Sequence, residues 1–262
     1  MGRAGGGRGC RGRRRPGGGR RARGRRRRHD HTAALLTAYL GHLRADVDRV
    51  LVALADGNGD EVVGACPGWT LRELVEHLGG VHRWATQIVR TGSRAEQAPP
   101  PPGDLLAWFA SGAEELLAVL AATPLDRPTW SLAGPATAGW WLRRQALETL
   151  VHRWDAQRAV GEPEPLDPQL AADGLAEVAD VLLPRQVRLG RTPPLAQAVR
   201  LVPVDGGDPV LLGPGEPVAA VSAPAEVLLL LLWHRVDPAD PRLRFHGDVR
   251  TAREVLSGAL AP

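Results

Sequence analysis

The stretch "CPGWTLRELVEHLGGVHRW", residues 66–84, reads as the opening of a helix. Thr70 and Glu73 stand three positions apart and form a capping box, the hydroxyl serving the N3 amide and the carboxylate the cap's own N–H. Trp69 and Leu74 flank the box as a hydrophobic staple. The helix is expected to run to about Arg90 and to end at "TG", residues 91–92.

Upstream, Leu35, Leu36, Tyr39, Leu40, Leu43, Val47, Val50, Leu51 and Leu54 recur at helical spacing, which predicts a first helix from His31 to about Ala55 before "DGNGD" breaks the chain. Downstream, the proline-rich "APPPPGD" leads to a third helix that Asp104 can cap, with Leu105, Phe109, Leu116 and Leu120 along one stripe. A loop carrying Pro124, Pro128 and Pro135 precedes a fourth helix, from about Trp140 to Val160, which Gly161 and Pro163 stop. Four amphipathic helices of this length predict a four-helix bundle over residues 31–165. After "GEPEPLDP" the pattern changes. A helix over 169–189 is followed by β-type runs "AVRLVPV", "PVLLG" and "PVAAVSA", a helix from about Pro224 to Arg235, a short strand "LRFHG" and a last helix from about Val249. Residues 166–262 therefore read as a small α+β domain, and the fold class as α+β.

The net charge of +4 is unevenly placed. Residues 1–28 hold 13 arginines and no acid, leaving 20 arginines against 29 acids in the rest, an acidic body. The Arg/Gly-rich segment 1–30 has no apolar periodicity and is expected to be a disordered tail. It reads either as a translated upstream region with the native start misplaced or as an electrostatic clamp for nucleic acid; nothing beyond it suggests nucleic-acid binding. With two cysteines, Cys10 and Cys66, a disulfide framework is not expected and a reducing cytoplasm is. No uninterrupted run of about 18 apolar residues predicts a membrane span.

Within the fourth helix, "ALETLVHRWDA" (146–156) places Glu148 and His152 one turn apart on one face. The pair is either a surface ion pair, Arg144 being a further partner for Glu148, or two ligands of a metal. Trp141, Ala156 and Ala159 project to roughly the same side, which would leave room beside an ion. A third ligand would come most naturally from a histidine. His29 and His31 flank the tail and are expected to be solvated, and His42 lies on a flank of the first helix. His77 and His82 occupy opposite flanks of the second helix, and either can face the bundle interior. Asp155 can orient a ligand or pair with Arg153 or Arg158. Arg235 can bind a substrate carboxylate or form a surface salt bridge. Cys66 and the eight tryptophans read as packing residues and cleft wall.

"CPGWTLRELVEHLGGVHRWATQIVR" and "WWLRRQALETLVHRWDAQRAVG" resemble the two signature stretches of the mycothiol-dependent maleylpyruvate isomerase family of actinobacteria, and "LLLLLWHRVDPADPRLRFHGD" resembles that family's C-terminal domain. The resemblance implies a DinB-like bundle for the first unit. It implies a divalent metal, zinc above all, on His77, Glu148 and His152, with His82 left as a pocket or surface histidine. It implies mycothiol as the thiol cosubstrate: the thiolate adds to the cis double bond of maleylpyruvate, the adduct rotates, and expulsion of the thiol leaves the trans product. Mycothiol transfer to an electrophile and a non-catalytic metal-binding module are the alternatives. No catalytic residue beyond the ligands is implied. One position departs from the family pattern: His234 stands in "LWHR", where a glycine is common.

Overall fold

The computed structural model describes residues 1, 19–97, 99–100 and 103–262, the side chains of 19–36 excepted. The expected disorder of the tail over residues 2–18 and the solvation of His29 and His31 lie outside the described residues.

Helix α1 (Gly19–Asp56) begins twelve residues before the expected His31. The early start is a correction to the predicted tail: residues 20–28 are seven arginines, one alanine and one glycine, and arginine and alanine are strong helix formers that need no buried face to favour the conformation. Helix α2 (Leu71–Thr91) is closed by Thr70 and Glu73 in a capping box and ends on Gly92 at φ 76°. Helix α3 (Leu105–Ala122) is capped by Asp104, whose carboxylate accepts from the Ala107 N–H at 3.0 Å. It is long and apolar enough by composition to cross a membrane. Here its Phe109, Leu116 and Leu120 are buried in the bundle, while Glu114 and Glu115 pair with Arg44 and Arg90. Close packing of α2 on α3 depends on glycine at position 79, where a methyl would overlap the Trp108 ring.

The segment expected as a proline loop is a β-hairpin, β1 (Pro128–Ser131) against β2 (Gly134–Thr137), antiparallel with Trp130 opposite Pro135. Proline is tolerated because neither strand has a second neighbour needing its missing N–H. Helix α4 (Ala138–Val160) then crosses the molecule. It has almost no solvent face. Trp141, Leu142, Ala146 and Ala156 belong to the bundle core with α1, α2 and α3, and Leu147, Leu150 and Val151 belong to the core of the second unit.

That second unit starts with α5 (Pro168–Glu177), continues through a π-helical turn (Val178–Leu182) and ends in α6 (Leu183–Arg188). A four-stranded sheet follows, in order β4–β3–β5–β6: β3 (Ala198–Pro203), β4 (Val210–Leu212), β5 (Pro217–Ala223) and β6 (Arg244–Gly247). β3 and β5 run parallel, and both edge strands are antiparallel to their neighbours. Helix α7 (Ala225–Leu232) is buried between the sheet and α5 except at Glu226, and α8 (Val249–Leu256) covers β5 and β6. The result is an α+β fold, a four-helix bundle followed by a small mixed domain.

Candidate metal centre

α4 contributes two of the three expected ligands from adjacent turns, and α2, packed beside it, contributes the third. Nε2 of His77 and Nε2 of His152 each lie 3.6 Å from Oε1 of Glu148, and one ligand atom from each residue falls within 4.8 Å of the others. At 3.6 Å these are not hydrogen bonds. Ligand atoms of a tetrahedral zinc-type ion with bonds near 2 Å would stand roughly 3.3 Å apart, so the donor set fits such an ion with little movement. His152 and Glu148 are buried, and His77, 36 % exposed, faces the opening.

The carboxylates and imidazoles are held from behind. Asp155, one turn beyond His152, lies 3.0 Å from its Nδ1. His152 and Arg235 keep Asp155 ionised despite its burial, so Nδ1 carries a proton and Nε2, which faces Glu148, is the atom a bound metal would take in place of its proton. Burial alone would depress the His152 pKa, but Asp155 and Glu148 outweigh it and lift it to about 9. Glu148 is likewise buried, yet Arg144 and the two histidines hold its carboxyl well below the usual range. Arg144 pairs with Glu148 and also donates to Glu177 at 2.7 Å. Burial raises the Glu177 pKa to about 7 against the pull of Arg144.

Arg235 stands at the cleft wall with its fork engaged: Nε and Nη2 donate to the two Asp155 oxygens at 3.0 and 2.7 Å, and Nη2 also approaches Cys66 Sγ at 3.4 Å. Asp155 thus does not pair with Arg153 or Arg158, which turn to Asp46 and Glu162. His234 explains the sequence departure. It adopts φ 59° as the left-handed residue that closes α7, with its N–H on Leu231 O and the Arg235 N–H on Leu230 O. Glycine takes that conformation without strain. Here the His234 ring is anchored through Nε2 on Gly258 O at 3.0 Å.

His82 is neither a pocket nor a surface histidine. It is fully buried in the bundle, with Nε2 3.0 Å from Thr149 Oγ1 and its ring against Phe109; burial depresses its pKa to about 3. Five residues beyond His77 it points well around the helix from the centre, into the α3 side. Ala156 and Ala159 pack into the bundle rather than beside the ligands. Trp141 does line the cleft, a cavity of about 810 Å³ whose wall also carries Trp69, Trp84, Trp130 and Trp233. Cys66, half-buried at its edge, is a free thiol whose pKa burial pushes up. Sequence reasoning missed three arginines on the same wall, Arg94, Arg185 and Arg191, and the buried Gln145.

A helix bundle with a histidine–glutamate–histidine cluster at the floor of an aromatic cleft, roofed by a small α+β domain, is a defined class of protein, and comparison with known proteins names it. Residues 40–157 match the model of the mycothiol maleylpyruvate isomerase N-terminal domain, and residues 169–254 match the C-terminal domain of the same family. The chain belongs to the mycothiol maleylpyruvate isomerase family. It is similar to two crystal structures, of the mycothiol-dependent maleylpyruvate isomerase (13 % identity, TM-score 0.58, covering 80 % of this chain and 92 % of that one) and of a histidine-to-alanine mutant of it (12 %, 0.57, 75 % and 88 %). At those identities the likeness speaks to the fold. The uncharacterized protein Rv0738 of Mycobacterium tuberculosis H37Rv is 28 % identical over 153 residues, 56 % of this chain and 80 % of that protein, as is its counterpart in strain CDC 1551.

Proposed function

We propose that the protein is a cytoplasmic, metal-dependent and mycothiol-dependent isomerase of the maleylpyruvate isomerase type, with His77, Glu148 and His152 holding a zinc-type ion. One observation carries the reading: two imidazoles and one carboxylate converge in the wall of a cleft large enough for a small thiol and its substrate. When bound there, such an ion supplies positive charge that favours the thiolate form of an incoming thiol. Asp155 fixes the tautomer of His152 and keeps its Nε2 available as a donor. Arg144 fixes the Glu148 carboxylate, and its second bond, to Glu177, fixes Arg144 in turn. The tryptophan wall would restrict water around a bound thiol and packs against the ligand rings, Trp69 tilted at 5.0 Å from His77 and Trp233 edge-on at 6.1 Å from His152 between ring centroids.

The test is metal analysis of the purified protein beside H152A and E148Q, followed by mycothiol titration and assays with maleylpyruvate and simple electrophiles. One zinc per chain, lost in both variants with the helical signal retained, is expected, together with thiol-dependent isomerisation. Full metal occupancy in H152A would sink the assignment. Mycothiol binding with transfer to electrophiles but no isomerisation would move it to a transferase.

A further inference from the structure

Five arginines line the cleft, at positions 94, 144, 185, 191 and 235, against two carboxylates, Glu96 and Glu148. Two of the five are spoken for. Arg144 is balanced between Glu148 and Glu177, and Arg235 by Asp155. Arg94 is exposed and lies over the Trp130 ring, 5.8 Å from its centroid. Like Arg94, neither Arg185 nor Arg191 forms a salt bridge among the described residues, but Arg185 is half-buried on α6. Arg191 is exposed and spends one weak contact, Nη1 to Gln186 Oε1 at 3.5 Å. A cleft lined by an excess of one charge focuses the field and concentrates ions of the other sign, here anions. Burial and the neighbouring Arg191, Arg188 and Arg144 lower the Arg185 pKa, and Arg185 lines the same cleft as the proposed ligands.

A second observation is independent of charge. Gln145, one turn before Glu148, is 1 % exposed and lines the same cleft, and its Oε1 has no hydrogen-bond partner among the described residues. A buried acceptor without a donor is unfavourable unless something bound supplies one. We propose that Arg185 and Arg191 form an anion-binding end of the cleft that takes a carboxylate of a small unsaturated acid, with Gln145 accepting from a hydroxyl or N–H of the bound molecules between that end and the metal. The proposal rests on the functional reading above and gives it a specificity: acidic electrophiles are selected over neutral ones of the same shape. A guanidinium recognises a carboxylate through paired N–H bonds that a neutral amide cannot reproduce and lysine reproduces in part.

The experiment titrates the zinc-loaded full-length protein with maleate, read by tryptophan fluorescence and checked by calorimetry, with the neutral diamide maleamide as control. The same titration is made for R185Q, R185K, R191Q and H152A, with zinc content and unfolding midpoint measured for each. Expected are a maleate affinity about tenfold or more weaker in R185Q, several-fold weaker in R191Q and intermediate in R185K, all at unchanged zinc content. Maleamide should bind far more weakly than maleate. Maleate bound equally by the parent, R185Q and R191Q, or not bound by the parent, overturns the proposal. The functional reading fails separately, through the zinc content: a protein that binds no zinc yet binds maleate through Arg185 keeps the anion end and loses the metal.

Discussion

Replacing Asp155 by alanine tests the support behind His152. Asp155 is 1 % exposed, receives two hydrogen bonds from Arg235, whose side chain is 5 % exposed, and a third from His152 Nδ1. Removing it leaves a buried guanidinium without its counter-charge, which costs about 3–5 kcal/mol. For a chain of this size each kcal/mol lowers the unfolding midpoint by about 2–4 °C, so a fall of roughly 6–20 °C is expected. The second consequence is local. A metal-bound imidazole that loses its outer carboxylate typically gives up about 10–100-fold in metal affinity. Differential scanning calorimetry reads the first effect, and competition with a chromophoric zinc chelator reads the second. The double variant D155L/R235M separates them: replacing both charges with apolar groups should recover most of the lost stability and none of the lost affinity. A D155A protein with parental midpoint and parental zinc affinity would show that the Arg235–Asp155–His152 chain supports nothing.

Two neighbouring glycines of α2 should respond in opposite directions. G79A drives a methyl into the Trp108 ring and should cost about 1–3 kcal/mol in denaturant unfolding, whereas G80A meets nothing within 4 Å and should gain about 0.5–1 kcal/mol; matching signs would refute this packing of α2 on α3. His82 should shape acid stability. Its folded-state pKa, about 3, lies below the ordinary 6.5, so the unfolded chain takes up the proton first. The sign follows: stability is complete above about pH 6.5 and falls by up to about 1.4 kcal/mol per pH unit from there toward pH 3. H82L should flatten the slope of unfolding free energy between pH 6 and 5 by about one proton, and an unchanged slope would place that proton elsewhere.

What could be read from the sequence was what is local. The Thr70–Glu73 box lies within one turn, and it is present with the Thr70 N–H 2.6 Å from Glu73 Oε2. The four β-type runs after residue 197 become strands, the two central ones, β3 and β5, showing the alternating burial that makes such runs legible. The partner of Asp155 could not be read that way. At helical spacing Arg153 and Arg158 look as suitable as any, and the actual partner, Arg235, is 80 residues away on another element. Arg185 was hidden by geometry of a different kind. The π-helical turn at Val178–Leu182 adds a residue to one turn and rotates everything after it by about 100° from the α-helical register. A 3.6-residue period carried across 169–189 therefore aims α6 wrongly. The hairpin at 128–137 was lost to its prolines, which argue against a strand only when a strand has two neighbours.

The linker between the two family matches, residues 158–168, is a boundary in sequence but not in the energetics of the fold. The true seam runs lengthwise along α4. Leu147, Leu150 and Val151 look away from the bundle, into the core of the following unit. Cut loose, the bundle would show those three side chains to water, forfeiting about 1.5–3 kcal/mol for each, a sum comparable with the whole stability of an ordinary domain. This bundle is therefore not a portable module. A relative that lives without the second unit, or that recombines the bundle with a different one, has to repaint positions 147, 150 and 151, with polar residues in the first case and with the new neighbour's complement in the second.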